Sequence, residues 1–217
     1  MASQHEANDR TATRTEEVYQ RLRQEIVRGD LRPREALSEV EIAERLRVSR
    51  TPVRESLQRL ASEGLIRSHR RRWVVYEHTT AEIQEIYEVR TALEGYSARL
   101  AAKRATDAEL VALRELRDQV RDASPELDQR VAFNEQLHDG ILALAHNETL
   151  LKQARTSRRY FFNRTVAQLY TPAELAVSAE QHRELLGAVI ARDADEAERL
   201  ARQHVDFALD VILHRLR

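Results

Sequence analysis

Val18, Leu22 and Ile26 recur at i, i+4 and i+8, which places them on one stripe of a helix. Residues 1–14, upstream of that stripe, are polar with both charge signs and read as a disordered arm. Gly29 stands where a helix C′ residue belongs, and Pro33 enforces the break. Ser38-Glu-Val-Glu41 has the form of a capping box, with Ile42, Ala43 and Leu46 as the core face of a second helix. The four residues Arg45 to Val48 then lead to Ser49, the expected N-cap of a third helix. Pro52 is tolerated in its first turn, Val53, Leu57 and Leu60 form its apolar stripe, and Gly64 ends it. Two β-prone runs follow, Leu65-Ile66 and Trp73-Val74-Val75-Tyr76. They flank Arg70, Arg71 and Arg72 and so predict a hairpin with a basic tip, Trp73 anchoring it to the core.

From Thr79 onward the pattern is helical throughout. Thr79-x-x-Glu82 and Thr106-x-x-Glu109 are capping boxes. The first opens a long helix with Ile83, Ile86, Tyr87, Arg90, Leu93, Tyr96 and Leu100 on its stripe; the second carries Leu110, Leu113, Leu116 and Val120. A loop covers 122–125. Further helices fit roughly 126–145, 148–168, 174–192 and 194–216, with Pro172 and Asp193 as breaks. The expected fold is therefore mainly α. Residues 1–14 form an arm, 15–78 a winged helix-turn-helix of three helices and a small β-hairpin, and 79–217 an all-helical bundle.

Composition narrows the chemistry. The chain of 217 residues has no cysteine, which excludes disulfides, thiolate zinc sites and cysteine nucleophiles. Neither a glycine-rich phosphate loop nor a nucleophile elbow occurs. The start lacks an apolar signal region and no stretch is apolar enough to span a bilayer, so a cytoplasmic location without a membrane partner is expected. The net charge of -1 hides an asymmetry: residues 1–78 carry 16 arginines against 13 carboxylates, whereas 79–217 carry 19 basic and 23 acidic side chains. Arginine makes the bidentate contacts to phosphate and guanine that lysine cannot.

Two groups of residues carry candidate chemistry. In the first, Ser49, Arg50, Thr51 and Arg54 lie near the start of the second helix of a helix-turn-helix pair. The opening residues of such a helix meet base edges in the major groove. Arg70, Arg71 and Arg72 suit phosphate contacts. One such module touches only a few base pairs, so the expected assembly is a homodimer on pseudo-palindromic double-stranded operator DNA.

In the second group, Asn134 and His138 are four apart on one helix face, while His182 and His204 sit on the apolar sides of two later helices. Three imidazoles from three helices can converge in a bundle core, and three nitrogens with one oxygen suit a divalent metal, zinc or nickel. The competing reading makes each histidine a hydrogen-bonded core residue. Arg90 interrupts an apolar stripe and needs a partner. Glu94, one turn on, is the structural choice; a carboxylate effector is the functional one. Arg158, Arg159 and Tyr160 line the same pocket or lie on the surface.

The string Val48-Ser-Arg-Thr-Pro-Val-Arg-Glu-Ser-Leu57, continuing through Arg59-Leu60 to Glu63-Gly64-Leu65, resembles the GntR family of bacterial transcription regulators. Leu37-Ser-Glu39 and Gly29-Asp-Leu-Arg-Pro33 fit as well, so the resemblance covers residues 16–78. It implies base readout by Arg50 and Arg54, with Ser49 and Thr51 on phosphates or bases. The family usually has glycine where this chain has Arg34, and again in the wing, at the position aligned with Arg72. The second half resembles the FCD-type ligand-binding domain of the FadR subfamily. That resemblance rests on Arg90-x-x-Leu-Glu94, Asn134-x-x-Leu-His138, Ala145-His-Asn147 with Leu150, and His182-Arg-Glu-Leu-Leu leading to Ala197 and His204. Many such domains bind a divalent metal through one Asp or Asn and three His. The resemblance implies a regulator, in the commoner arrangement a repressor, whose operator affinity answers to a small carboxylate. Arg90, Glu94, Arg159 and Tyr160 are then its effector-binding residues. Two other readings compete: a metal-dependent enzyme with a three-histidine site, and an architectural DNA binder without an effector.

Overall fold

The computed structural model describes residues 2–70, 72–120, 126–158 and 164–216. The chain divides into two compact units, Met1–Glu77 and His78–Arg217.

In the first unit, α1 (Ala2–Arg28) ends at Gly29, whose φ of 78° no side chain hinders. The stretch read as a disordered arm is the opening of this helix. Ala2 to Arg14 contains neither Gly nor Pro, so nothing local stops the helix from extending upstream. Val18, Leu22 and Ile26 are buried together with Tyr19. Tyr19 donates from its hydroxyl to both oxygens of Glu63 (2.7 and 2.8 Å) and lies beneath the Arg59 guanidinium, tying α1 to α3 (Arg50–Ser62). Helix α2 (Glu39–Leu46) includes Ile42, Ala43 and Leu46, as its core face required. Its carboxyl cap is Arg47 in the left-handed region (φ 55°), and only Arg47, Val48 and Ser49 separate it from α3. Ser38 caps α2 through Glu41 N, at 3.4 Å.

Strands β2 (Ile66–His69) and β3 (Arg72–Val75) form the hairpin. A third strand, β1 (Ala36–Leu37), pairs antiparallel with β3, giving the order β1-β3-β2. Arg72 lies within β3, paired with His69, so the left-handed corner of the wing is Arg70 (φ 48°) instead. Arg34, where glycine was usual, is indeed left-handed at φ 66°. It spends that strain on a turn whose amide donates to Val75 O, and its guanidinium pairs with Glu77. Trp73 packs against the core of this unit.

The second unit is built around α4 (Thr80–Arg104), which runs along α10 (Ala194–Arg215) and also packs on α6 (Leu127–Leu144), α7 (Glu148–Arg158) and α9 (Pro172–Ile190). The capping boxes at Thr79 and Thr106 are formed, the latter opening α5 (Asp107–Asp118). A further box, Thr171 with Glu174, opens α9. Pro172 therefore begins that helix rather than breaking the chain before it, because the first-turn amide it lacks has no partner anyway. The span read as one helix over 148–168 contains α7 and the short α8 (Arg164–Ala167). Gly95 marks the close approach of α4 to α10, since a Cβ there would stand 2.7 Å from Arg202 Cγ. Tyr96, expected on the buried stripe, is exposed, as is Val89 seven residues earlier.

Candidate nucleic-acid interface and effector site

The start of α3 presents Ser49, Arg50, Thr51 and Arg54 to solvent, while Pro52, Val53, Ser56, Leu57 and Leu60 turn inward. This division follows from the helical period: the apolar stripe occupies one side, so the residues between its members face out. Ser49 is the N-cap by position, but its hydroxyl makes no capping bond. The third helical residue is Pro52, whose nitrogen has no hydrogen to give. That hydroxyl remains available to a ligand at the helix start, where backbone amides and the macrodipole favour phosphate. Arg50 and Arg54 reach back to one carboxylate, Glu39, the first residue of α2. The sequence string Leu37-Ser-Glu39 contained this residue without indicating its contact. Arg70 and Arg72 are exposed at the wing; Arg71 lies outside the described residues.

In the second unit the three histidines meet. His138 comes from α6, His182 from α9 and His204 from α10, all buried. Their ring centroids are 5.3, 5.1 and 4.3 Å apart, and ligand atoms of all three fall within 4.8 Å of one another. Each ring has an orienting partner or neighbour. His138 Nδ1 donates to Glu94 Oε2 at 3.0 Å, and His204 Nδ1 donates to Gln181 Oε1 at 3.0 Å. Those bonds make Nε2 of His138 and His204 acceptors; His182 Nε2 donates to that of His204 at 3.1 Å, a bond that a metal ligand there would replace. Burial, and then the Arg158 charge, pushes the His138 imidazole down to about 3. Burial followed by the neighbouring His204 lowers His182, and burial followed by His138 lowers His204. All three rings are therefore neutral donors at ordinary pH.

Arg90, Glu94 and Arg158 form the floor of this region, and all are buried. Glu94 accepts from Arg90 Nε at 3.0 Å and Arg158 Nη1 at 2.8 Å in addition to His138. Burial opposes its ionisation, but Arg158 and Arg90 outweigh that and hold the carboxyl well below the usual range. The Tyr87 ring lies 4.3 Å from the Arg90 guanidinium carbon. Arg90 Nη1 is buried and outside hydrogen-bonding geometry with any described residue. Among the described residues the cluster thus sets two cations against one anion, with neutral histidines beside them. A small cavity opens between Glu94, His138 and His204, with Ile141, Leu142 and Leu185 as its apolar wall.

The donor set fits a divalent cation. Neutral imidazoles held through Nδ1 by a carboxylate and an amide are the arrangement that raises ligand basicity and fixes ring orientation. Asn134 lies one turn before His138, and its amide nitrogen is buried without a partner among the described residues. Of the expected effector residues, Arg90 and Glu94 are in the cluster; Arg159 and Tyr160 lie outside the described residues. Sequence reasoning missed Gln181 altogether and named Arg158 only as a possible pocket or surface residue. Glu94 is the one buried carboxylate among the described residues, and clamped by two guanidiniums it is a poor general base.

A helix-turn-helix with an exposed arginine pair, followed by a helical unit with a buried, charged cavity, defines the class of DNA-binding regulators that carry a ligand-binding domain. The comparisons agree. Residues 14–75 match the model of "Bacterial regulatory proteins, gntR family" and residues 85–207 that of the "FCD domain". The chain is 34% identical over 191 residues to the Nta operon transcriptional regulator of Aminobacter aminovorans, covering 86% of this chain and 88% of that one. It is 30% identical over 199 residues to the HTH-type transcriptional repressor RspR of Escherichia coli (strain K12), covering 88% and 85%. Its fold is similar to that of E. coli McbR/YncC, with a TM-score of 0.79 at 23% identity over 94% of this chain and 99% of that one.

The chain belongs to the GntR family of bacterial regulators and carries an FCD domain in its second half. It is a transcription regulator. Among the described residues, no helix is long and apolar enough to cross a membrane.

Proposed function

We propose that this protein is a repressor of the FadR subfamily whose homodimer releases a pseudo-palindromic operator when a small carboxylate enters the FCD domain. The observation that carries the reading is the cavity between Glu94, His138 and His204, beside a buried guanidinium donor of Arg90. Two guanidiniums bond Glu94, and Arg90 Nη1 is a buried donor that meets no acceptor among the described residues. A buried donor left without an acceptor is costly, and an entering carboxylate relieves that cost. His138, His182 and His204, with Asn134, would hold zinc or nickel, which supplies a further electrophilic anchor for the carboxylate when bound. Arg159 and Tyr160 complete the effector site in this reading. The exposed Val89 and Tyr96 share one face of α4, seven residues apart, and support the homodimer. Ser49, Arg50, Thr51 and Arg54 read the operator, while Arg70, Arg71 and Arg72 hold its phosphates. A coupling of about 1–3 kcal/mol between effector and operator is enough for a switch.

The decisive experiment titrates wild-type protein, loaded with zinc or nickel, with a panel of mono- and dicarboxylic acids and follows thermal unfolding. A carboxylate should raise the transition in wild type and not in Arg90→Ala. Metal content should fall to background in His138→Ala/His182→Ala/His204→Ala. Equal metal in that triple variant removes the metal, and an unmoved transition across the panel removes the effector. Arg50→Ala/Arg54→Ala should no longer discriminate operator from random duplex, and retained discrimination removes the base-readout role.

A further inference from the structure

Glu39 opens α2, and its place at the first helical position is fixed by the Ser38 cap. Its carboxylate is only 19% exposed, whereas the Arg50 and Arg54 side chains it holds are 60% and 55% exposed. The Arg54 contact is side-on. Nε lies 3.2 and 3.3 Å from the two carboxylate oxygens, and Nη2 is 3.0 Å from Oε2. Arg50 adds Nη2 at 3.3 Å to the same oxygen. One anion therefore orients both cations of the recognition helix.

A guanidinium has five N–H donors in a rigid fork. Glu39 occupies the Nε–Nη2 edge of Arg54, leaving the Nη1–Nη2 end able to make the two-pronged contact to guanine O6 and N7. A guanine edge is neutral, so it does not compete with the carboxylate. A phosphate is an oxyanion like the carboxylate and does compete with it. Breaking the pair is therefore a cost attached to phosphate binding and not to base reading.

We propose that Glu39 is a positioning residue that sets sequence specificity: it holds Arg50 and Arg54 back from indiscriminate phosphate contact and aims the free end of Arg54 at a base. The inference rests on the reading that these arginines face DNA. The pairing keeps Glu39 ionised, the hydrogen bond from Arg54 being the main cause, so the restraint persists at ordinary pH.

The test uses the full-length protein and two duplex probes in fluorescence anisotropy. One is a random-sequence duplex; the other is the duplex that wild-type protein enriches from a random pool. Glu39→Gln frees one cation for phosphate. Its affinity for random duplex at 0.1 M salt should rise about tenfold and its log–log salt slope should steepen by about 0.9. Affinity for the enriched duplex should not rise in step, so the ratio of the two should fall about tenfold. A loss confined to helix stability would move the unfolding temperature but neither slope nor ratio. Equal changes on both probes with an unaltered slope overturn the proposal. Glu39→Ala gives the same reading should the glutamine variant fold poorly. Arg54→Ala separates the two layers of inference. If it leaves the ratio intact, base readout itself fails; if it collapses the ratio while Glu39→Gln does not, only the role of Glu39 falls.

Discussion

Replacing Glu94 by Gln removes one negative charge from the centre of the FCD domain and changes almost nothing in volume. Glu94 accepts three bonds there, from Arg90 Nε, Arg158 Nη1 and His138 Nδ1, at 3.0, 2.8 and 3.0 Å. An amide offers one oxygen in place of two and turns an NH2 group toward donors, so at least one of those bonds becomes a donor–donor contact. Both guanidiniums stay charged, because arginine does not give up its proton in proteins. Among the described residues the cluster thus loses the carboxylate that Arg90 and Arg158 share. Removing one partner of a buried ion pair costs about 3–5 kcal/mol. At about 3 °C per kcal/mol for a unit of this size, the transition of the second unit should fall by roughly 10–15 °C. Differential scanning calorimetry on wild type and Glu94→Gln measures this directly. The charge argument makes a second demand: Glu94→Ala leaves room for a small anion, so acetate should raise its transition far more than that of wild type. A loss below about 1 kcal/mol, the range of an exposed pair, would refute the claim that this charge is buried and essential. An Ala variant indifferent to acetate would refute the claim that the excess charge seeks an anion.

Three other substitutions test the packing on which the sites depend. Gly95→Ala should gain up to about 1 kcal/mol of helix propensity but drive its new methyl into Arg202 Cγ, at 2.7 Å. It should therefore destabilise wild type and stabilise an Arg202→Ala background, a sign change that chemical denaturation reads directly. Leu57, fully buried under the recognition helix, should cost about 2–5 kcal/mol when cut to Ala. The urea midpoint of the DNA-binding unit should fall accordingly, and an unmoved midpoint would show that α3 does not rest on this stripe. Thr79→Ala removes the hydroxyl that accepts from Glu82 N at 3.3 Å. It should cost about 1 kcal/mol, seen as early fraying of α4 in amide hydrogen exchange.

Local chemistry was what the sequence made legible. The boxes at Thr79 and Thr106 are readable because a cap involves residues three apart, and the stripes of α1 and α3 are readable because burial repeats with the helical period. Thr171 and Glu174 obey the same rule, yet Pro172 between them reads as a breaker unless its place at the first helical position is recognised. β1 is two residues long and exists only because β3 passes beside it, so no alternation announces it. The histidines were identifiable by type and face. What completes their surroundings was not, because the contacts join distant parts of the chain. Arg158 reaches Glu94 across 64 positions and Gln181 reaches His204 across 23. Nothing in the string around Arg158 distinguishes a buried guanidinium from a solvated one.

The two candidate sites share one electrostatic device in opposite surroundings. Arg50 and Arg54 share Glu39; Arg90 and Arg158 share Glu94. In each, one carboxylate orients two guanidiniums whose remaining donors can meet a further ligand. The difference lies in what water does. At the surface, solvent screens the charges, so Glu39 imposes only a moderate restraint on phosphate contact, about tenfold in affinity, and the equilibrium responds to salt. In the interior solvent screens little, so a donor such as Arg90 Nη1, which meets no acceptor among the described residues, carries a cost that an entering anion would relieve. A surface triad of this kind tunes recognition, whereas a buried one couples ligand binding to the stability of the helices that hold it. That coupling is what a regulator requires of its sensing domain. It predicts that effectors are selected first by negative charge, and only afterwards by how their remaining atoms fit Ile141, Leu142 and Leu185.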